Sequence, residues 1–380
     1  MSGGTGSSIG IVGAGIGGLA AAIALSREGH RVEIFEQAPA FGRVGAAITV
    51  SPNALRALDG LGVGALVREW GCRPPKRVNR AYDTGEVFSE LALAAQAERD
   101  FGAPLITMHR SELLGALEES IPPGSVRFGS RLAGLDQDDD GVLLRFDDGT
   151  EHRVDAVVGA DGVRSTVRQR LRADEAPAVF TGSVAFRATI PVDRVPSYDV
   201  DAFTKWWGPV PESEIVTFPI HRSRELFVFA SALTSSWDEE SWTREGDVDE
   251  LRAAFADYHD DARELIAQCD STLITALYDR HPLDSWTSGR VALLGDACHP
   301  MTPFMAQGAA MAIEDAVVLG RSLAGRGPDT LAAGLEVYAR TRMPRASRVQ
   351  LTSHSNQWLR EPSDANWVYG HDIWAEQLAG

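Results

Sequence analysis

Residues 9–36 read IGIVGAGIGGLAAAIALSREGHRVEIFE, and this stretch decides the fold. Ile9–Val12 is a short apolar run of the kind that forms a buried strand. A glycine-rich turn follows. Gly17–Glu28 consists mainly of small residues and reads as a helix, which Gly29 ends. Arg31–Phe35 alternates and reads as a second strand. Two strands joined through a helix run parallel, so the chain starts a parallel sheet with crossover helices. Ile9–Leu25 is apolar enough to imitate a leader or a membrane span. No basic residue precedes it, and Gly10, Gly13, Gly15, Gly17 and Gly18 interrupt it, so neither is expected.

Within this unit Gly13-x-Gly15-x-x-Gly18 stands where strand gives way to helix. Gly13 permits the tight turn, Gly15 lets a pyrophosphate approach the backbone, and Gly18 lets helix and strand pack closely. The phosphate then meets the positive end of the helix. Glu36 closes the second strand 18 residues after Gly18, where a carboxylate can accept hydrogen bonds from ribose hydroxyls. The pattern suits FAD or NAD, and the negative charge disfavours the 2′-phosphate of NADP.

The chain has 380 residues, enough for two or three domains, and its 44% hydrophobic content supplies a core. A net charge of −17 argues against nucleic acid and anionic membranes as main partners, although a local field can still favour a small anion. The three cysteines, Cys72, Cys269 and Cys298, are too few for a disulfide framework and have no C-x-x-C spacing, which points to a reducing cytoplasm.

Further along, Ser2–Ser8 reads as a flexible start. Ser51–Leu61 and Arg110–Glu119 read as helices, the second preceded by the apolar run Leu105–Met108. Val126–Phe128, Val142–Phe146, Glu151–Val154 and Ala156–Gly159 read as strands, with a turn at Asp147-Asp148-Gly149. The acidic cluster Asp136–Asp140 reads as another turn. From about Val179 the texture changes: Val184–Ile190, Ala202–Trp207, Ile215–Ile220 and Leu226–Ala230 alternate like antiparallel strands. Val291–Leu294 returns to a parallel-type strand, Gly308–Ala324 reads as a helix, and Leu331–Leu359 is rich in helix formers.

Two later segments carry a resemblance. Gly159-Ala160-Asp161-Gly162-Val163-Arg164-Ser165-x-Val167-Arg168 resembles the Asp-Gly segment of the group A flavoprotein monooxygenases. Gly289–Ala297, with Gly295-Asp296, resembles their Gly-Asp segment, and Pro300, Pro303, Gln307-Gly308-Ala309 and Glu314-Asp315 follow. The resemblance covers nearly the whole chain. It implies an α/β fold: an FAD/NAD(P)-binding Rossmann-like domain (9–175 and 281–325) with an inserted antiparallel β-sheet substrate domain (176–280) and a C-terminal helical region (326–380). Some substrate-domain segments are interleaved around 70–105.

The resemblance also implies FAD as cofactor and NADH or NADPH as transient reductant. Oxygen would add at flavin C4a, and the resulting hydroperoxide would hydroxylate a small electron-rich aromatic or hydroxypyridine, an aromatic carboxylate and decarboxylation included. Asp296 would accept from the ribityl chain, and the helix opening at Gly308 would face the flavin pyrimidine. Arg110 would contact FAD, and Asp161 would support it. The expected cofactor set is Gly13, Gly15, Gly17, Gly18, Glu36, Gln37, Arg110, Leu132, Asp161, Asp296, Gly308, Ala309 and Ala310.

Ala38-Pro39-Ala40-Phe41, Lys205-Trp206-Trp207, Met305–Ala309 and Trp367-Val368-Tyr369-Gly370 look like the 6-hydroxynicotinate 3-monooxygenases. The chain departs from them at the substrate. Thr49 and Phe304 stand where those enzymes carry histidines, Phe203 stands at a cysteine, and a pocket tyrosine falls near Thr217. Thr49, Phe203, Thr217, Pro303 and Phe304 are therefore the expected substrate pocket, of lowered polarity. No catalytic base is evident among them, because imidazole takes a proton near neutral pH and these side chains do not.

His299 beside Cys298 fits no common metal spacing, and no metal is expected. His221, Arg222 and Arg224 read as a polar turn rather than an anion grip. At most one of Trp206 and Trp207 faces the pocket, and the tryptophans within Trp358–Trp374 read as core packing. A flavin oxidoreductase that does not hydroxylate, a flavin-dependent halogenase and a non-catalytic FAD-binding protein stay open, although the halogenase Lys in a W-x-W-x-I context is not found. The expected partners are a small aromatic and O2, with no nucleic acid or membrane; a monomer or homodimer is expected.

Overall fold

The computed structural model describes residues 6–42, 47–172, 175–235, 237, 244–360 and 365–380. Residues 2–5 of the expected flexible start lie outside these. In chain order the elements are β1 (Ser8–Val12), α1 (Ile16–Arg27), β2 (Arg31–Phe35), β3 (Ala47–Val50), α2 (Pro52–Gly60), α3 (Gly64–Trp70), β4 (Lys76–Ala81), β5 (Val87–Ala92), α4 (Ala95–Phe101), β6 (Ile106–His109), α5 (Arg110–Glu118), β7 (Val126–Arg127), β8 (Leu132–Asp138), β9 (Gly141–Phe146), β10 (Glu151–Val154), β11 (Ala156–Gly159) and α6 (Thr166–Leu171). There follow β12 (Val179–Pro191), β13 (Phe203–Trp207), β14 (Glu214–Ile220), β15 (Glu225–Leu233), β16 (Glu245–Gly246), α7 (Val248–Ala254), α8 (Asp260–Ala267), β17 (Thr272–Asp279), β18 (Thr287–Ser288), β19 (Val291–Leu293), α9 (Gly308–Leu323), α10 (Leu331–Ser355) and α11 (Asn366–Tyr369).

The first sheet has the order β18-β19-β11-β1-β2-β7. Every neighbouring pair is parallel except β18 with β19. All five residues of β1 and all four of β11 are buried, as expected for strands covered on both faces. α1 and α9 lie close together because their contact is made of small residues. A Cβ added at Gly320 would come 2.9 Å from the Cβ of Ala24.

The second sheet has eight strands, in the order β16-β17-β12-β15-β14-β13-β4-β5. It is antiparallel except where β13 lies parallel to β4. Alternation divides its two faces. One face packs with α7 and α8 around Trp206, Ile215, Phe255 and Leu265. The other carries Phe203, Val216, Phe218 and Phe227 toward the core beneath the first sheet.

One local reading changes. The Asp136–Asp140 cluster is not wholly a turn, because β8 continues through Asp138. There Arg145 of β9 and Arg153 of β10 pair with Asp136 and Asp138 and offset the crowded charge. β4 and β5, within the segment expected to interleave around 70–105, join the second sheet because β4 docks on β13. A long-range pairing of this kind leaves little local signal. Among the described residues, no helix is long and apolar enough to cross a membrane.

Candidate active site

A cavity of about 430 Å3 lies between the parallel sheet and the inner face of the eight-stranded sheet. Its dinucleotide side starts at the glycine turn. Gly13 has φ +100°, and a Cβ there would sit 2.5 Å from the Ala160 carbonyl oxygen. A Cβ at Gly18 would sit 2.0 Å from the Gly13 carbonyl oxygen. Both glycines are required by backbone packing. Gly15 is different: a Cβ there meets nothing within 4 Å, and the residue lines the cavity as the N-cap of α1. Open space beside unsatisfied amides at a helix start is a cradle for phosphate. Gly17 lines the same cavity.

Glu36 sits behind this turn. Its carboxylate accepts from the amides of Ala14 and Ala38, each at 2.8 Å, and so ties the end of β2 to the glycine turn. A carboxylate keeps further lone pairs for ribose hydroxyls. Glu36, Gln37 and Leu132 do not line the cavity; Gln37 is exposed and Leu132 is buried at the start of β8.

On the opposite side the turn after β19 places Asp296 against the cavity, and Arg110, the first residue of α5, faces it. Desolvation raises the Asp296 carboxyl above its usual range, while His299 and Arg110 oppose the shift. Desolvation likewise lowers the Arg110 guanidinium, and Asp296 counteracts it. α9 opens at Gly308 with no side-chain cap, and Gly308 and Ala309 line the cavity, whereas Ala310 is buried behind them. Ala306, just before this helix, is held at φ +52°, an unusual conformation for a residue with a Cβ.

Asp161 itself does not line the cavity; its neighbours Ala160, Gly162 and Val163 do. Its carboxylate accepts from the Ser165 hydroxyl at 2.5 Å and the Val167 amide at 3.1 Å, fixing the turn into α6. Burial raises this carboxyl, and those hydrogen bonds partly offset it.

Beneath α9 lies a buried ionic network. Asp315 accepts from His299 at 2.6 Å, the Gly295 amide at 3.1 Å and Arg342 at 2.8 Å. Glu314 binds Arg342, Arg345 and Asn53. Burial alone would raise Glu314, but Arg342 and Arg345 outweigh it and hold the carboxyl at about 2. Cys298, His299 and Asp315 form a group of metal-donor type. Both Asp315 oxygens are already engaged, and burial pushes the Cys298 thiol well up, so the group serves as an ion-pair brace for the Gly295-Asp296 turn.

The sheet side is aromatic. Phe203 and Phe218 are stacked, 5.2 Å apart and 8° from parallel, and Phe227 tilts against Phe218 at 5.1 Å. Thr49 of β3, Pro303 and Phe304, which the sequence reading assigned to the substrate, line the cavity with these rings. Thr217 does not. The side chains of β14 alternate, Val216 and Phe218 face the cavity, and Thr217 points to the other face, where it pairs with the Tyr198 hydroxyl at 3.0 Å. Neither Trp206 nor Trp207 lines the cavity; Trp206 is in the second core and Trp207 donates to Asn79 at 3.0 Å. His221, Arg222 and Ser223 form the β14–β15 turn, all at positive φ.

The site also contains charged residues that the sequence reading missed: Arg77, Arg187, Lys205 and Glu214. All four are buried. Lys205 forms an ion pair with Glu214 and donates to Asn356 at 2.7 Å. Burial lowers its ammonium to about 8 despite that pairing. Alternation held the signal: if Phe203 faces inward, so does Lys205 two residues on.

Comparisons with known proteins agree with this geometry. Residues 7–353 match the family described as FAD binding domain. The chain is 38% identical over 372 residues to 6-hydroxynicotinate 3-monooxygenase of Bordetella bronchiseptica, covering 97% of this chain and 96% of that one. It is 35% identical to the 3-amino-4-hydroxybenzoate 2-monooxygenase PtnB3 of Streptomyces platensis, covering 96% of each. The crystal structure of Klebsiella pneumoniae HpxO complexed with FAD and uric acid superposes with a TM-score of 0.82 at 28% identity, over 92% of this chain and 87% of that one. The open phosphate cradle, the helix starts at Gly15 and Gly308, and Arg110 and Asp296 facing the cavity fit FAD. The chain belongs to the FAD-binding domain family, among its FAD-dependent aromatic hydroxylases.

Proposed function

We propose that this protein uses NADH or NADPH and O2 to hydroxylate a small electron-rich aromatic or hydroxypyridine ring. The observation that carries the reading is a single cavity that joins the dinucleotide cradle to a wall of phenylalanines. Bound FAD supplies the redox chemistry, passing electrons from the nicotinamide to O2 so that one oxygen atom enters the ring and the other leaves as water. The protein holds and shields it. Gly15 and the start of α1 hold the diphosphate, Glu36 the ribose, and Arg110 and Asp296 the middle of the cofactor. The start of α9, lining the cavity at Gly308, would offer its positive end to negative charge on the bound cofactor, worth about 1 kcal/mol. Thr49, Phe203, Phe218, Pro303 and Phe304 hold the substrate and keep water from the reacting atoms.

Thr49 and Phe304 cannot exchange a proton near neutral pH, which argues against 6-hydroxynicotinate as the substrate. All three cysteines are free and buried, which supports a reducing, cytoplasmic setting. The test is oxidation of NADH and of NADPH by the purified yellow protein over a panel of aromatic acids and hydroxypyridines, 6-hydroxynicotinate included. Hydroxylated product and H2O2 are measured together. Product that matches nicotinamide consumed supports the reading. Consumption that yields only H2O2 with every ring sinks it and leaves a flavin oxidoreductase that does not hydroxylate. Coupled turnover of 6-hydroxynicotinate would overturn the pocket argument alone.

A further inference from the structure

The sheet face of the cavity carries three cations, Arg77, Arg187 and Lys205, against one carboxylate, Glu214, in a chain of net charge −17. Lys205 and Glu214 answer each other. Asn356 clamps the pair, accepting from Lys205 at 2.7 Å and donating to Glu214 at 2.6 Å. Arg187 bonds Thr275 at the β12–β17 end of the sheet. Three strands separate β12 from β4, so its backbone lies roughly 19 Å from that of Arg77 at ~4.8 Å per strand.

Arg77 is differently placed. It is buried, and its side-chain partners are neutral. Nε donates to Asn79 Oδ1 at 3.1 Å, and Tyr369 lines the same cavity. Among the described residues no carboxylate forms an ion pair with it, and Glu214, which acts on it through space, is already bound to Lys205. A guanidinium does not shed its proton, and a buried charge without a counter-ion is costly. A bound anion would remove that cost. The direction is also set: Arg77 is the β-sheet partner of Phe203 and lies over its ring, 5.3 Å from the centroid. An aromatic ring resting on Phe203 and Phe218 would have a substituent within reach of Arg77.

We propose that Arg77, together with the Tyr369 hydroxyl, anchors a carboxylate on the aromatic substrate and sets the preference of the site for anionic rings. This rests on the hydroxylase reading above. The guanidinium offers parallel N–H donors that match a carboxylate. Tyr369 lines the same cavity and has a hydroxyl proton to donate. Burial pushes its hydroxyl up to about 12, so it stays protonated at working pH. The C-terminal segment thus contributes to the substrate site: Tyr369 comes from α11, and Asn356 from the end of α10.

The test is calorimetric and absorbance titration of the FAD-loaded enzyme with benzoate and with benzamide, which share a ring and differ in charge. The parent should bind benzoate at least about tenfold more tightly. Arg77→Met should abolish that preference, Arg77→Lys should keep part of it, and Tyr369→Phe should weaken benzoate severalfold while leaving benzamide unchanged. A parent with no preference, failure to bind either ligand included, overturns the proposal. So does a preference that survives in Arg77→Met or disappears only in Arg187→Met. If Arg77→Met does not fold, the parent comparison with Arg77→Lys and Tyr369→Phe decides. Coupled hydroxylation is measured separately, so the anchor can fail while the hydroxylase reading stands, and the reverse.

Discussion

Adding one methyl group at Gly15 separates cofactor binding from folding. Gly15 has φ −75° and ψ −177°, open to any L residue, and its Cβ would meet no atom within 4 Å. Gly15→Ala should therefore leave the FAD-free protein as stable as the parent, or raise it by ~0.4–1 kcal/mol through the unfolded chain. With FAD the methyl group stands where the diphosphate approaches. The loss of one charge-assisted hydrogen bond, about 1.5–3 kcal/mol, weakens FAD by roughly 10- to 150-fold. Gly18→Ala is the contrast, because its Cβ would lie 2.0 Å from a backbone oxygen and the turn must give way with or without cofactor. The assay removes FAD, titrates it back by quenching of flavin fluorescence, and records melting of both forms. If Gly15→Ala binds FAD as tightly as the parent does, the diphosphate is not at this turn and the cofactor assignment fails at its foundation.

Thr49→His and Phe304→His should each change the ranking of substrates in NAD(P)H oxidation while FAD affinity stays unchanged; identical rankings in both would show that these positions do not touch substrate. Thr217→Val should cost about 1 kcal/mol in chemical denaturation by losing the bond to Tyr198, with the substrate ranking preserved; a changed ranking would put Thr217 back in the pocket. Glu314 lies at about 2 in the folded protein against 4.5 in the open chain, so its contribution is full above pH 4.5 and disappears as pH falls toward 2. That contribution is on the order of 3 kcal/mol, and Glu314→Gln should flatten the acid limb of a stability–pH curve; an unchanged limb would mean the Arg342 and Arg345 pairs do not hold α9 in place.

What the sequence disclosed follows from which groups do the work. The dinucleotide cradle is made by backbone, and backbone demands leave fixed residues behind: Gly13 for its positive φ, Gly18 for close packing and Gly15 for open space. The parallel strands were legible because β1 and β11 are buried on both faces and read as unbroken apolar runs. The aromatic wall of the cavity was only half legible. Phe203, Thr49, Pro303 and Phe304 were placed, but a one-residue error at Thr217 moved the choice to the wrong face of β14, since alternation turns a small shift into the opposite side of the sheet. Arg77 stayed hidden because its strand pairs with β13 across more than a hundred residues, and nothing local marks it as buried.

This division bears on how such a site changes substrate. The cofactor side depends on turns and helix starts braced by Asp315, Arg342 and His299, so an altered side chain there disturbs the brace and the fold together. The sheet side consists of separate side chains on alternate positions of β13, β14 and β15, each facing the ring with its backbone already paired. A phenylalanine in place of a polar residue there costs no hydrogen bond in the sheet and alters only what the cavity accepts. In the proposed pocket Thr49, Phe203 and Phe304 bring no titratable group, and Arg77 and Tyr369, which line the same cavity, would concentrate recognition at one charged end. Such a site selects a ring by its anionic handle and its shape. It relies on the substrate, already ionised or rich in electrons, for the activation that a protein base would otherwise provide.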